Sequence, residues 1–338
     1  MTTAEELELP VARKCPFAPP EEYTQIREEQ PITRVKIPDG KEAWVVSRHE
    51  DVRTVLNDRR FSSDRFNPNF PILVKGGNVF RQTNAERTMI TMDAPEHGPA
   101  RKSVLGEFTV KRVNAMRPRI QEIVDGLLDE ILASEGPVDL VEKLSLPVPS
   151  LVICELLGVP YSEHDFFQEN TAKLLKRTVS FDERRAAFER VRGYLGRLIT
   201  TKEADPGKTL DAVEELLRYF TIVDTATARV AVEDVELDGV TIRAGEGVLA
   251  LGYTANWDPA VFDEPSKLDI TRGARHHVAF GFGPHQCLGQ NLARAELQIV
   301  FDTLFRRIPT LRLAVDVDDL PFKEDASIYG LYRLPVTW

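Results

Sequence analysis

The sequence predicts a mainly α-helical protein with a minor β portion. Apolar residues recur at three- and four-residue spacing through most of 97–205 and again from about 287 to 307, whereas strand-like alternation is confined to 33–46, 227–252 and 310–338. A chain of 338 residues that is 42% hydrophobic and 28% charged can bury a large core, which excludes disordered, collagen-like and disulfide-scaffold classes. The longest apolar runs, such as Leu151–Cys154 and Val248–Leu251, fall far short of the roughly 20 residues a membrane-spanning helix needs. A net charge of −10 with no basic stretch argues against nucleic-acid binding. Cys15, Cys154 and Cys287 are too widely spaced for a zinc site or a disulfide frame. The acidic N-terminus lacks an apolar signal core, so a cytoplasmic location is expected.

Taken in order, Thr33–Ile37 and Ala43–Val46 flank Asp39-Gly40 and predict a hairpin. Ser47-Arg-His-Glu50 reads as a capping box opening a helix over 51–56. Residues 58–93 show no sustained period and predict a long surface loop. Met116, Ile120, Ile123, Leu127, Leu128 and Ile131 predict one long helix stopped at Gly136. Further helices are expected over 150–157, 162–175, 182–200 and 209–220. Strands follow over 227–252, with turns at Asp238-Gly239 and Gly245-Glu-Gly247. Residues 256–286 read as irregular, a helix as running from about 287 to 307, and 310–338 as strands.

The segment richest in chemistry is Phe280-Gly-Phe-Gly-Pro-His-Gln-Cys287-Leu-Gly289. Gly281 and Gly283 permit positive φ and a tight loop, and Pro284 stiffens it. The loop delivers Cys287 to a predicted helix start, where unpaired amides and the helix dipole favour a thiolate. Behind it, Leu288, Leu292, Ala295 and Ile299 form an apolar face suited to a large planar group. A thiolate on such a loop suits an iron porphyrin. The plain alternative is a buried cysteine in a glycine-rich turn.

The string resembles the haem-binding loop of the cytochrome P-450 family, Phe-Gly-x-Gly-x-His-x-Cys-x-Gly, at every fixed position. The resemblance implies that Cys287 is the proximal iron ligand and that His285 reaches a haem propionate. Glu215-Leu-Leu-Arg218 looks like the family's Glu-x-x-Arg helix, and 262–272 like the irregular segment that pairs with it. Arg229 falls where the family places a propionate-binding arginine, and His97-Gly-Pro-Ala-Arg101 resembles its His-x-x-x-Arg. Cys154 reads as a core residue, Cys15 as a structural or exposed thiol, and His276-His277 as loop polar residues near the haem edge.

The chain departs from the family in one place. No Ala-Gly-x-Asp/Glu-Thr string marks the central oxygen-side helix, and only fourteen residues separate Thr200 from Glu215 where the family expects several tens more. The seam lies near 203–208, compatible with a deletion or with a segment omitted from the sequence as written. Asp224-Thr225 follows the Glu-x-x-Arg helix instead of preceding it, so no distal acid/alcohol pair is identified.

The resemblance therefore implies a single haem-thiolate domain over 1–338 with an incomplete cytochrome P-450 fold of the soluble bacterial type. It implies haem b (iron protoporphyrin IX) as cofactor, held by His97, Arg101, Arg229, His285 and the iron ligand Cys287. The implied reaction inserts one oxygen atom of dioxygen into a small apolar substrate. Electrons from NAD(P)H would arrive through a ferredoxin- or flavodoxin-type protein docking on the Cys287 side. The alternative is a haem-binding but catalytically impaired member, or a non-catalytic relative acting as a protein partner.

Overall fold

The computed structural model describes residues 7–13, 15, 17–73, 87–134, 136–157, 211–223, 227–323 and 328–338. The helices expected over 162–175 and 182–200, the seam near 203–208 and Asp224-Thr225 lie outside the described residues. In chain order the elements are α1 (Glu21–Glu29), β1 (Ile32–Lys36), β2 (Glu42–Val46), α2 (His49–Asn57), β3 (Phe61–Ser62), α3 (His97–Leu105), α4 (Val110–Leu132), β4 (Val138–Asp139) and α5 (Pro147–Leu157). Then come α6 (Asp211–Phe220), β5 (Ala228–Ala231), β6 (Val235–Leu237), β7 (Val240–Ile242), β8 (Gly247–Ala250), α7 (Gly252–Asn256), α8 (Gln290–Arg307), β9 (Arg312–Leu313) and β10 (Pro335–Thr337). Two compact units emerge, one from Met1–Ser103 with Glu214–Cys287, the other from Val104–Val213 with Leu288–Trp338.

The first unit is built on a five-stranded sheet of order β1-β2-β8-β5-β3. The predicted hairpin forms, with Ile32 opposite Val46 and Lys36 opposite Glu42. Strand β2 lies parallel to β8, Trp44 opposite Val248. Alternation sends Val46, Val248 and Ala250 to one face with Val52 and Val55 of α2, and Val45 and Leu249 to the other with Tyr23 and Ile26 of α1. Both faces of the central strands are buried, which explains why they read as short continuous apolar runs.

Two expectations are corrected in this unit. The capping box at the start of α2 does not form: Ser47 is buried and its hydroxyl donates to Pro31 O at 3.0 Å. The first-turn amide of His49 donates instead to Asp258 Oδ2 at 3.0 Å, so a distant carboxylate does the work assigned to a local one. The stretch 58–93 is not simply a surface loop either. Phe61 and Ser62 pair with Ala231 and Val230 at the sheet edge, and Phe61, Phe70 and Leu73 are buried. A two-residue strand is too short to show a period.

The second unit centres on α4. Thr109 caps it by accepting from Arg112 N–H at 3.2 Å. Its Val113, Met116, Ile120, Val124, Leu128 and Ile131 pack with Leu292, Ala295, Ile299 and Leu304 of α8 and with Val148 and Val152 of α5. The apolar face of α8 thus belongs to a helix–helix core, which corrects the expectation that Leu292, Ala295 and Ile299 present a platform to a planar group. The C-terminal strands are only two or three residues long, with β10 between β4 and β9. Among the described residues no helix is long and apolar enough to cross a membrane. Leu128 has no solvent exposure, so Leu128→Ala should destabilise this unit by about 2–5 kcal/mol, measured as a lowered urea midpoint at unchanged slope.

Candidate functional site

Backbone geometry shapes the cysteine loop before any side chain acts. Gly281 and Gly283 adopt φ of +72° and +69°. A Cβ on Gly283 would stand 2.7 Å from Leu56 O and 2.9 Å from Asn57 Cα, so only glycine lets the loop lie against the end of α2. Pro284 sits in a 3-10 turn over Gly283–His285, and the Arg53 guanidinium covers the Phe282 ring at 4.2 Å. The loop closes where Cys287 N–H donates to Phe280 O at 2.8 Å. The Cys287 side chain is exposed. It is not at the helix start as expected: Gly289 caps α8, which begins at Gln290. The loop's own bond, more than a helix terminus, positions this thiol.

Four other predicted residues gather beside it in the same unit. The His97 and His285 rings lie 4.1 Å apart, tilted by 33°. Arg101 Nη2 donates to Gln286 O at 2.7 Å, fastening α3 to the loop. Arg229 is buried on β5, and its Nη1 donates to its neighbour Ala228 O at 2.8 Å. Arg229 and His285 line a cavity of about 80 Å³ together with Arg65, Gly281 and Phe282. Buried His97 Nε2 has no hydrogen-bond partner. Asp93, the neighbouring carboxylate, is engaged by Ser62 Oγ and by Ser63 N–H at 2.8 Å.

The electrostatics of this cluster ask for an anion. Burial first, then the charges of Arg229 and His97, pushes His285 down to about 4, against the pull of Asp93. Burial likewise lowers Arg229 to about 10 and depresses His97, which Arg101 depresses further. At neutral pH the imidazoles are therefore uncharged N–H donors beside a charged guanidinium, arranged for charge-assisted bonds to carboxylate oxygens. An orphaned buried nitrogen and a desolvated arginine next to an exposed thiol fit a group that carries both carboxylates and a metal, as haem does. Among the described residues no cluster of His, Cys, Asp and Glu offers a separate metal site.

The helix beneath the loop carries a pair with no solvent exposure at all. Arg218 Nε and Nη2 donate to Glu215 Oε2 and Oε1, each at 2.8 Å, and Nη1 donates to Asn256 O at 2.8 Å and Pro265 O at 3.0 Å. Glu215 Oε1 also accepts from Asp269 N–H and Arg272 Nε, both at 3.1 Å. This is the buried arrangement the resemblance implies, not a solvated helix pair.

Comparison with known proteins decides the family. Cytochrome P450-SU2 of Streptomyces griseolus is 42% identical over 405 aligned residues that cover 100% of both chains. The chain belongs to the cytochrome P450 family. The family model described as Cytochrome P450 matches residues 209–324. The vitamin D3 dihydroxylase of Streptomyces griseolus is 41% identical over 395 residues, 97% of this chain and 96% of that one. The crystal structure of cytochrome P450 MoxA from Nonomuraea recticatena superposes with a TM-score of 0.88 at 51% identity, covering 98% of each chain. The fold is that of the cytochrome P450 monooxygenases, whose cofactor is haem b. The 405 aligned positions exceed the 338 residues of this chain by several tens, in keeping with the shortfall read from the sequence.

Two residues of this neighbourhood escaped the sequence reading. Arg65 shares the cavity of Arg229 but sits in a stretch without periodicity. His277, expected as a loop polar residue, is buried with Nε2 3.2 Å from Glu214 Oε2. No local signal marks either residue, because each contact joins residues far apart in sequence.

A pH dependence follows from the buried pair. Burial pushes the Glu215 carboxyl up, but the bonds from Arg218, Asp269 and Arg272 outweigh it and hold the group below its ordinary 4.5. The stabilisation is then complete above 4.5 and is lost as pH falls through the lower folded value. Glu215→Ala should cost about 3–5 kcal/mol by stranding Arg218. Glu215→Gln should flatten the acid limb of stability against pH, read by denaturant titration between pH 3 and 7.

Proposed function

We propose that this chain binds haem b with Cys287 as the proximal thiolate and His97, Arg101, Arg229 and His285 on the propionates. The reaction proposed is insertion of one oxygen atom of dioxygen into a small apolar organic substrate. Its electrons come from NAD(P)H through a ferredoxin- or flavodoxin-type protein docking on the Cys287 side. The observation that carries this reading is the juxtaposition in one unit of the Cys287 loop with buried Arg229 and the unpartnered His97 Nε2. The vitamin D3 dihydroxylase among the relatives acts, by its name, on vitamin D3, which supports a small organic substrate.

When bound, haem supplies the one-electron and dioxygen chemistry. The other tasks fall to the chain. Cys287 Sγ would hold the iron and supply electron density as a thiolate, and the Phe280 carbonyl holds the Cys287 amide at 2.8 Å. Arg229 and the two imidazoles orient carboxylates through N–H donors, and Arg101 ties the cradle to the loop through Gln286 O. Glu215 and Arg218 keep the segment ahead of the loop in place. A distal acid/alcohol pair that would move protons is not identified, and Asp224-Thr225 lies outside the described residues.

The excess of aligned positions over chain length also favours a second reading for the polypeptide as written. It captures haem but oxygenates poorly, because the sequence as written carries no Ala-Gly-x-Asp/Glu-Thr string to wall the oxygen side and relay protons. Intact mass, NAD(P)H consumed, peroxide formed and oxygenated product, measured over a panel of apolar substrates, separate the two. Tight coupling supports the monooxygenase, and peroxide without product supports the impaired member.

Two outcomes test the site itself. Reduced protein with carbon monoxide should show the red-shifted Soret band of a thiolate-bound haem, lost in Cys287→Ser and kept in Cys15→Ser and Cys154→Ala. Arg229→Ala should transfer haem to apomyoglobin about tenfold faster or more, as expected for loss of a charge-assisted bond of about 1.5–3 kcal/mol, with the thiolate band intact.

A further inference from the structure

Three side chains on one face of α6 grip the segment that leads into the Cys287 loop. Glu214, Arg218 and Thr221 stand four and then three residues apart, the spacing of a shared helical face that carries on into the first residue beyond the helix. Arg218 Nη1 donates to Asn256 O at 2.8 Å, and Asn256 Nδ2 donates to Thr221 Oγ1 at 2.8 Å. Asn256 Oδ1 in turn accepts from Val278 N–H at 2.7 Å. One residue earlier, His277 Nε2 lies 3.2 Å from Glu214 Oε2, within ion-pair range though off the line of a full hydrogen bond. Both side chains are almost wholly buried, at 1% and 3% exposure.

The other ring nitrogen settles the tautomer. His277 Nδ1 accepts from Ala279 N–H at 3.2 Å, so the imidazole proton sits on Nε2, the nitrogen that lies 3.2 Å from Glu214 Oε2. Ala279 adjoins Phe280, whose ring centroid lies 6.0 Å from that of His277. The Phe280 carbonyl is the acceptor for Cys287 N–H. A loop with two glycines at positive φ has many conformations open to it, and external bonds must select one. Val278 is selected by Asn256 and Ala279 by His277.

We propose that His277 is a positioning residue for Cys287. Its Nδ1 caps the Ala279 amide and thereby sets where the Phe280 carbonyl, the Cys287 amide and Sγ come to rest. This inference rests on the reading of Cys287 as the haem thiolate.

Isosteric variants separate the two sides of the ring. His277→Asn keeps an acceptor near the Nδ1 position and drops the reach to Glu214. His277→Gln reaches toward Glu214 and drops the cap, and His277→Ala removes both. Two quantities are measured on each full-length protein: the fraction of the reduced carbon monoxide complex in the thiolate band, and amide hydrogen exchange of the peptide spanning Ala279 to Cys287. The Asn variant should match the parent in both. The Gln and Ala variants should shift signal to the thiolate-lost band and exchange about tenfold faster, the effect of one hydrogen bond of about 1.4 kcal/mol. Parent-like behaviour of the Gln variant, or failure of the Asn variant alongside Gln, overturns the proposal. Where the Ala variant does not fold, the Asn–Gln contrast still decides. A shifted band that survives Cys287→Ser overturns the ligand reading instead, and the exchange contrast then tests the positioning of the Cys287 amide independently.

Discussion

The Glu215–Arg218 pair is the constraint on which the first unit's lower half depends. Two opposite charges with no solvent exposure are tolerable only when each donor and acceptor around them is satisfied. Arg218 meets that condition by reaching the end of α7 at Asn256 and the irregular chain at Pro265, and Glu215 by taking the Asp269 amide and Arg272. Arg272 extends the network to the carbonyls of Asp263, Glu264 and Lys267. The region 257–286 has little regular secondary structure of its own. Its conformation is therefore imposed by side chains on a helix some fifty residues earlier, and the cysteine loop begins where that imposed segment ends.

The anion cradle obeys the opposite logic. His97 Nε2 is buried without a hydrogen-bond partner among the described residues, and burial holds both imidazoles and one guanidinium away from their ordinary charge preferences. Such a cluster raises the energy of the empty protein and lowers that of the loaded one. Folding and cofactor capture are then linked by mass action. On the proposed site, the buried pair rewards correct folding alone, and the cradle rewards folding with haem present.

Much of this was legible in residues. The apolar period of α4 and the hairpin around Gly40 each carry a local physical signature and appear where expected, and the cysteine-loop string forms its tight glycine turn but ends short of the start of α8. The buried state of Glu215 and Arg218 came from resemblance, since an i, i+3 pair looks the same on a wet surface. The misses share a cause. Asp258 capping α2, β3 joining the sheet through β5, and His277 meeting Glu214 are contacts between residues far apart in sequence. No window of neighbouring residues encodes them. The platform expected from Leu292, Ala295 and Ile299 failed for a related reason: an apolar stripe announces burial without naming its partner.

The parallel pairing of β2 with β8 has a temporal meaning. Trp44, Val45 and Val46 meet Val248, Leu249 and Ala250, residues made about 200 codons later. At ribosomal speeds of about 5–20 residues per second, the first hairpin waits roughly 10–40 s for the strand that completes its sheet. Throughout that interval Val45 and Val46, which have no exposure in the finished molecule, stand at an open strand edge with unpaired amides.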